Sequence, residues 1–142
     1  METQPLTVER KLNASAEKIW LALTDNSQMK QWYFDLESFE PEVGFEFEFY
    51  GSKDDARYLQ LCRVTEAIPD KKLSYTWKYK DLPGNSEVSF ELFPEGGATR
   101  VKITHTGLDS FPKDNPDFAV TSFTGGWTHI LGINLKDFVE KQ

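Results

Sequence analysis

The chain has 142 residues, 39% hydrophobic and 27% charged, a balance that excludes a disordered chain and fits one globular domain spanning residues 1–142. Lys and Arg total 16 against 23 Asp and Glu, and a net charge of -7 argues against a nucleic-acid or anionic-membrane partner, since phosphate binding needs clustered cations. The 11 Phe, 5 Tyr and 4 Trp are the unusual feature: rigid apolar surface for a core or for the walls of a pocket.

Leu6 to Leu12 alternates and reads as a first strand, with Leu6, Val8, Arg10 and Leu12 on one face. Asn13 and Ser15 are helix-capping types, and Ala16 to Leu23 follows with Ile19, Trp20 and Leu23 at helical spacing. Asp25-Asn26-Ser27 punctuates before a second short helix over Gln28 to Trp32. From Leu36 to Thr106 the period is two. A strand precedes the tight turn at Val43-Gly44, and Phe45, Phe47 and Phe49 then alternate with Glu46, Glu48 and Tyr50. Arg57 to Thr65 forms the next strand. Leu73, Tyr75, Trp77 and Tyr79 share one face of its partner, followed by strands on Val88, Phe90 and Leu92 and on Val101, Ile103 and His105. After a polar loop with Pro112 and Pro116, a long helix carries Trp127, Ile130, Leu131, Asn134, Leu135 and Phe138 on one side at 100° per residue. His129, Lys136 and Glu140 fall opposite. The fold class is α+β: a curved antiparallel sheet of about seven strands around a long C-terminal helix, with two short helices after the first strand.

Chemistry-bearing motifs are few. Cys62 is the single cysteine, sits mid-strand without a base near it in sequence, and reads as a buried inert thiol. His105 and His129 have no second ligand at metal spacing and lie on different faces, so neither a metal nor a cofactor is expected. Gly96-Gly97 is a hairpin turn, while Gly125-Gly126 either loosens the start of the last helix or lets it approach the sheet. Met1 to Thr7 has no secretory pattern and no apolar run is long enough to span a bilayer, so a soluble cytoplasmic protein without membrane insertion is expected. Asn13-Ala14-Ser15 is then a chance glycosylation sequon.

Strand parity also turns polar groups inward. Arg10 and His105 share faces with apolar neighbours, as do the polar tips of Tyr75, Trp77 and Tyr79, and Asn134 lies within the apolar arc of the helix. Buried polar groups need partners, so these either satisfy one another or line a cavity with convergent polar groups.

Several segments then resemble a known pattern: Ala16-Glu17-Lys18-Ile19-Trp20, Leu23-Thr24-Asp25 and Trp32; Val43-Gly44-Phe45; Val64-Thr65-Glu66-Ala67-Ile68-Pro69 running into Leu73-Ser74-Tyr75-Thr76-Trp77; Gly97-Ala98-Thr99; Thr104-His105-Thr106-Gly107; and Gly125-Gly126-Trp127 with Leu131 and Leu135-Lys136. Together they resemble the START-like, or SRPBCC, superfamily of helix-grip domains. Within it they are similar to the C-terminal domain of the activator of the 90-kDa heat-shock chaperone's ATPase. The resemblance implies a cavity between sheet and last helix; members bind hydrophobic ligands, activate a chaperone, or carry out cyclase or hydrolase chemistry.

The leading expectation is a non-enzymatic domain for a small apolar or aromatic ligand. Phe47, Phe49, Tyr75, Trp77, Phe90, Trp127 and Leu131 would wall the site, Arg10, His105 and Asn134 would orient the ligand, and Leu108 to Phe118 would act as a lid. Two rivals follow from the resemblance. One is a chaperone partner whose ATPase is tuned through an exposed patch such as the acidic face around Glu46 and Glu48. The other is an enzyme using His105 as general acid or base.

Overall fold

The protein is seen in a computed structural model that describes residues 6–32, 39–50, 59–80, 84–111 and 120–140. Period-two patterning becomes six strands: β1 (Leu6–Leu12), β2 (Glu46–Tyr50), β3 (Leu59–Ile68), β4 (Lys72–Tyr79), β5 (Ser86–Glu95) and β6 (Ala98–Thr106). They form one antiparallel sheet in the order β1-β6-β5-β4-β3-β2, with β1 and β2 at its two ends. The expected seventh strand, before Val43-Gly44, starts at Leu36, and residues 36–38 lie outside the described residues. Its described end, 39–42, is not a strand.

Two helices bridge β1 and β2. Ser15 caps α1 (Ala16–Thr24) by accepting the Lys18 N–H, and the helix buries Ile19, Trp20, Ala22 and Leu23. Asp25 accepts the N–H and hydroxyl of Ser27, which holds its carboxyl below the usual range and starts α2 (Asn26–Trp32). The indole N–H of Trp32 then donates to Ala22 O at 2.8 Å, tying α2 back onto α1.

One irregularity keeps the inner face of the sheet apolar. Val64 pairs with Tyr75 but Glu66 with Ser74, so Thr65 is an extra residue in β3. Side-chain parity reverses there: Ala67 packs against the core, while Ile68 is 40% exposed.

The last helix is continuous but not uniform. α3 (Val120–His129) leads into a π-helical stretch (Ile130–Leu135) and then α4 (Lys136–Glu140). A π turn takes in an extra residue, which offsets the drift of an every-fourth-residue row around an α-helix. Trp127, Leu131, Leu135 and Val139 therefore all face inward, each at 3% exposure or less. A uniform 100° step puts Asn134 and Phe138 in that arc instead; in the structure both are half-buried, and Ile133 is exposed. Glu140, expected outward, accepts the Asn13 N–H at 2.9 Å and pairs with Lys136. These contacts hold its carboxyl below the ordinary range and pin the helix end to the β1–α1 junction.

Gly125 and Gly126 lie inside α3 with open space where a Cβ would stand, so they mark no close approach. The helix glycine with a neighbour is Gly132, whose Cβ would lie 3.4 Å from Nε of Arg10 on β1. No helix among the described residues is long and apolar enough to cross a membrane.

Candidate ligand-binding interior

The inner face of the sheet and the last helix meet in a network of aromatic edges. Phe39 packs on Phe47, Phe47 on Tyr75, and Tyr75 on Phe90, with ring centroids 5.1, 5.1 and 6.0 Å apart. Trp127 then bridges Phe90 and Trp77 at 5.8 and 5.4 Å. Phe123 continues from His105 to Phe111, which closes edge-on against Tyr79 at 5.2 Å. Parity alone accounts for the strand members, because every second side chain of β4 and β5 points the same way.

His105, with no exposed surface, sits at the centre of a hydrogen-bond chain. The indole N–H of Trp127 can only donate, so Nδ1 of His105 accepts it at 3.0 Å. The imidazole proton therefore lies on Nε2, 2.8 Å from Ser86 Oγ, and the Ser86 hydroxyl donates to Trp77 O at 2.7 Å. Burial lowers the pKa of His105 to about 3, so the ring is neutral at physiological pH. Its lone pair and its proton are both committed. These two hydrogen bonds tie β6 to β5 and to the last helix.

Two other predicted orienting residues lie elsewhere. Arg10 is exposed: β1 is the end strand, and the long side chain runs out beside Gly132 while Nη1 donates to Glu9 O at 2.6 Å. Asn134 is half-buried at the helix rim because of the π turn. Phe47, Tyr75, Trp77, Phe90, Trp127 and Leu131 are all buried inside, as expected. Phe49 is placed by register opposite Gln60, and its side chain lies outside the described residues. The expected lid begins as a 3-10 turn, Leu108–Ser110, anchored by buried Leu108 and Phe111; residues 112–118 are outside the described residues.

The residue that strand reading passed over is Gln60. It shares the face of Cys62 and Val64 on β3, opposite Tyr79 on β4, and is 5% exposed. Its Oε1 is buried and has no hydrogen-bond partner. Parity with Val64 was the available signal. Nearby Tyr79 is occupied, its hydroxyl oxygen accepting the Trp77 indole N–H at 2.9 Å. Cys62 is buried beside them, and burial pushes its thiol well above the ordinary range, which leaves it unreactive.

On the opposite face of the sheet lies an open groove of about 800 Å³. Glu46 and Glu48 of β2, Leu61 and Arg63 of β3, and Thr76 and Lys78 of β4 line it. This is the acidic strand face read from the sequence, but it also carries two cations.

The sequence matches the family model described as Activator of Hsp90 ATPase homolog 1-like protein over residues 13–140. No curated protein sequence matches it. Among solved structures, the fold is similar to a protein from Mesorhizobium loti, at 27% identity and a TM-score of 0.80, covering 98% of each chain. It is also similar to a Bacillus halodurans protein at 23% identity and TM-score 0.76, covering 97% of this chain and 98% of that one. The Aha1 dimer from Colwellia psychrerythraea matches at 24% identity and TM-score 0.75, covering 97% of each chain.

Proposed function

This chain belongs to the Activator of Hsp90 ATPase homolog 1-like family, and from that premise we propose that it binds a small apolar or aromatic ligand between the β2–β4 part of the sheet and the last helix. The observation that carries this reading is Gln60. A buried acceptor without a partner costs about 1–3 kcal/mol, and the amide stands on an otherwise apolar and aromatic face. A ligand that donates a hydrogen bond to it would convert that cost into affinity. The site lies toward β2, away from His105, whose own hydrogen bonds close the opposite end of the interior.

A thermal-shift panel of small aromatic and aliphatic compounds tests the proposal. A ligand at a hundredfold over its Kd adds about 2.7 kcal/mol of stability. Its binding is expected to move the NMR signals of the Gln60 amide and of the Trp77 and Trp127 indole N–H groups. No saturable shift across the panel, or signal changes confined to Arg63 and Lys78, would refute the interior site.

A second reading is supported by the groove at Glu46 and Glu48: contact with a chaperone through the outer face of the sheet, in keeping with the family's description. The assay is the ATPase rate of a 90-kDa heat-shock chaperone at saturating protein. Stimulation that is lost in the Glu46→Lys, Glu48→Lys double variant supports it, and an unchanged rate with the unaltered protein removes it.

A further inference from the structure

Resting on the interior-site reading above, we infer that the ligand is uncharged and carries a hydroxyl group, which the side-chain amide of Gln60 receives. Gln60 Oε1 is an unpaired buried acceptor, and it stands on the same face as Cys62 and opposite Tyr79. The polar tips on the neighbouring strands are already engaged. The Trp77 N–H is given to Tyr79, the Trp127 N–H to His105, and the Ser86 hydroxyl to Trp77 O. Among the described residues of this face, the buried side-chain atom left without a partner is Oε1 of Gln60. A primary amide can accept a hydroxyl proton through Oε1 or donate to a hydroxyl oxygen through Nε2, so a hydroxyl fits whichever way the amide is turned.

The described residues around Gln60 offer a carboxylate no cation. A buried anion needs a cation or several converging donors to offset its lost hydration. Among the described residues, Arg63 on β3 and Lys78 on β4 line the groove on the other face, Lys80 is exposed, and Arg10 lies on the far end strand beside Gly132. His105 is neutral, with both nitrogens hydrogen-bonded. A wholly apolar ligand fits the walls but leaves Oε1 unpaired. Affinity is therefore ordered by the polar group: hydroxyl first, hydrocarbon second, carboxylate last.

The test uses three probes of one shape, 2-naphthol, 2-methylnaphthalene and 2-naphthoate, titrated calorimetrically at neutral pH into the unaltered protein and into Gln60→Leu. One buried hydrogen bond corresponds to about a tenfold preference for naphthol over methylnaphthalene in the unaltered protein, with naphthoate weakest. Gln60→Leu removes the unpaired amide, so it is expected to raise Tm without ligand and to bind naphthol and methylnaphthalene equally. If Gln60→Leu does not unfold cooperatively, Gln60→Met, which keeps the chain length, reads the same comparison. Naphthoate binding tightest, or a naphthol preference that survives loss of the amide, overturns this inference while leaving the interior site standing. Failure of all three probes to bind overturns the interior site and this inference with it.

Discussion

Trp127, on the last helix, donates its indole N–H to Nδ1 of His105 on β6 across 3.0 Å. The contact fixes the tautomer of His105 and couples its protonation to folding. In the folded protein burial lowers the pKa of His105 to about 3, against 6.5 for a free histidine. Between those values the unfolded chain holds the proton and the folded one does not. Stability from this group is thus complete above pH 6.5 and is lost as pH falls toward about 3, at up to about 1.4 kcal/mol per pH unit. Asp25 and Glu140, whose folded carboxyls are lowered, contribute stability that is lost only below about pH 4.5. Urea titrations between pH 7 and 5 therefore isolate the histidine. The unaltered protein is expected to weaken over that window, and His105→Gln to be less stable at pH 7 but flatter with pH. A parallel slope in both proteins would show that His105 is not buried neutral. Nitrogen chemical shifts at pH 7 are expected to show a protonated Nε2 and an unprotonated Nδ1.

Glycines divide into two classes. Gly84 and Gly107 have φ of +108° and +81°, and a Cβ would come within 2.6 Å of Ser110 O and 2.8 Å of Asn85 O, respectively. Both flank the junction where Ser110 Oγ accepts the Asn85 N–H and Phe111 turns inward against Tyr79. Gly84→Ala and Gly107→Ala are each expected to lower stability by about 1–3 kcal/mol. Gly125→Ala and Gly126→Ala, in helical backbone with open space around them, are expected to raise it by about 0.5–1 kcal/mol each. Urea midpoints compare all four, and equal effects across the set would contradict the division.

The π turn makes a prediction that a uniform helix does not. Leu135→Ala empties a fully buried site and is expected to cost about 2–5 kcal/mol, whereas Ile133→Ala, at a position 49% exposed, is expected to cost less than about 1 kcal/mol. Val139→Ala is expected to cost more than Phe138→Ala loses per carbon removed, because Val139 is 1% exposed and Phe138 lies at the rim. Chemical denaturation of these four variants measures the rotation of the helix. The reverse order at 138 and 139 would restore the even α-helical step.

Cys62 offers a direct reading of the interior between β2 and β4. With the thiol raised by burial and 5% exposed, it is expected to resist an aromatic disulfide reagent in the folded protein and to react fully in denaturant. A ligand seated beside Gln60 is expected to slow the residual native reaction further. Rapid native labelling would mean that this part of the interior opens to solvent.

Much of the strand framework was legible because side-chain alternation is a local property of extended backbone. Period two in Phe45 to Tyr50 and in Leu73 to Tyr79 assigned inner and outer faces before any pairing was known. The capping by Ser15 was similarly legible, since a cap involves residues three apart. Partners were not. His105 and Arg10 look alike by parity, both polar on an apolar face, yet one is enclosed by Trp127 and Ser86 and the other escapes from an end strand into water. Which outcome holds depends on strand order and on the rotation of a helix far away in sequence. Neither is written in the local period.

The sequence by itself determined the fold class, the family pattern and the set of aromatic residues that had to be buried, because apolar area must leave water wherever the chain folds. Only the tertiary structure decided how those residues meet. The extra residue at Thr65 reversed the parity of β3, and the π turn exchanged Asn134 for Val139 on the inner face. Register placed Gln60 beside Tyr79 while leaving its carbonyl without a donor. A hydrogen bond needs its partner within about 3 Å, and that distance is set by packing between elements, not by the order of residues within one.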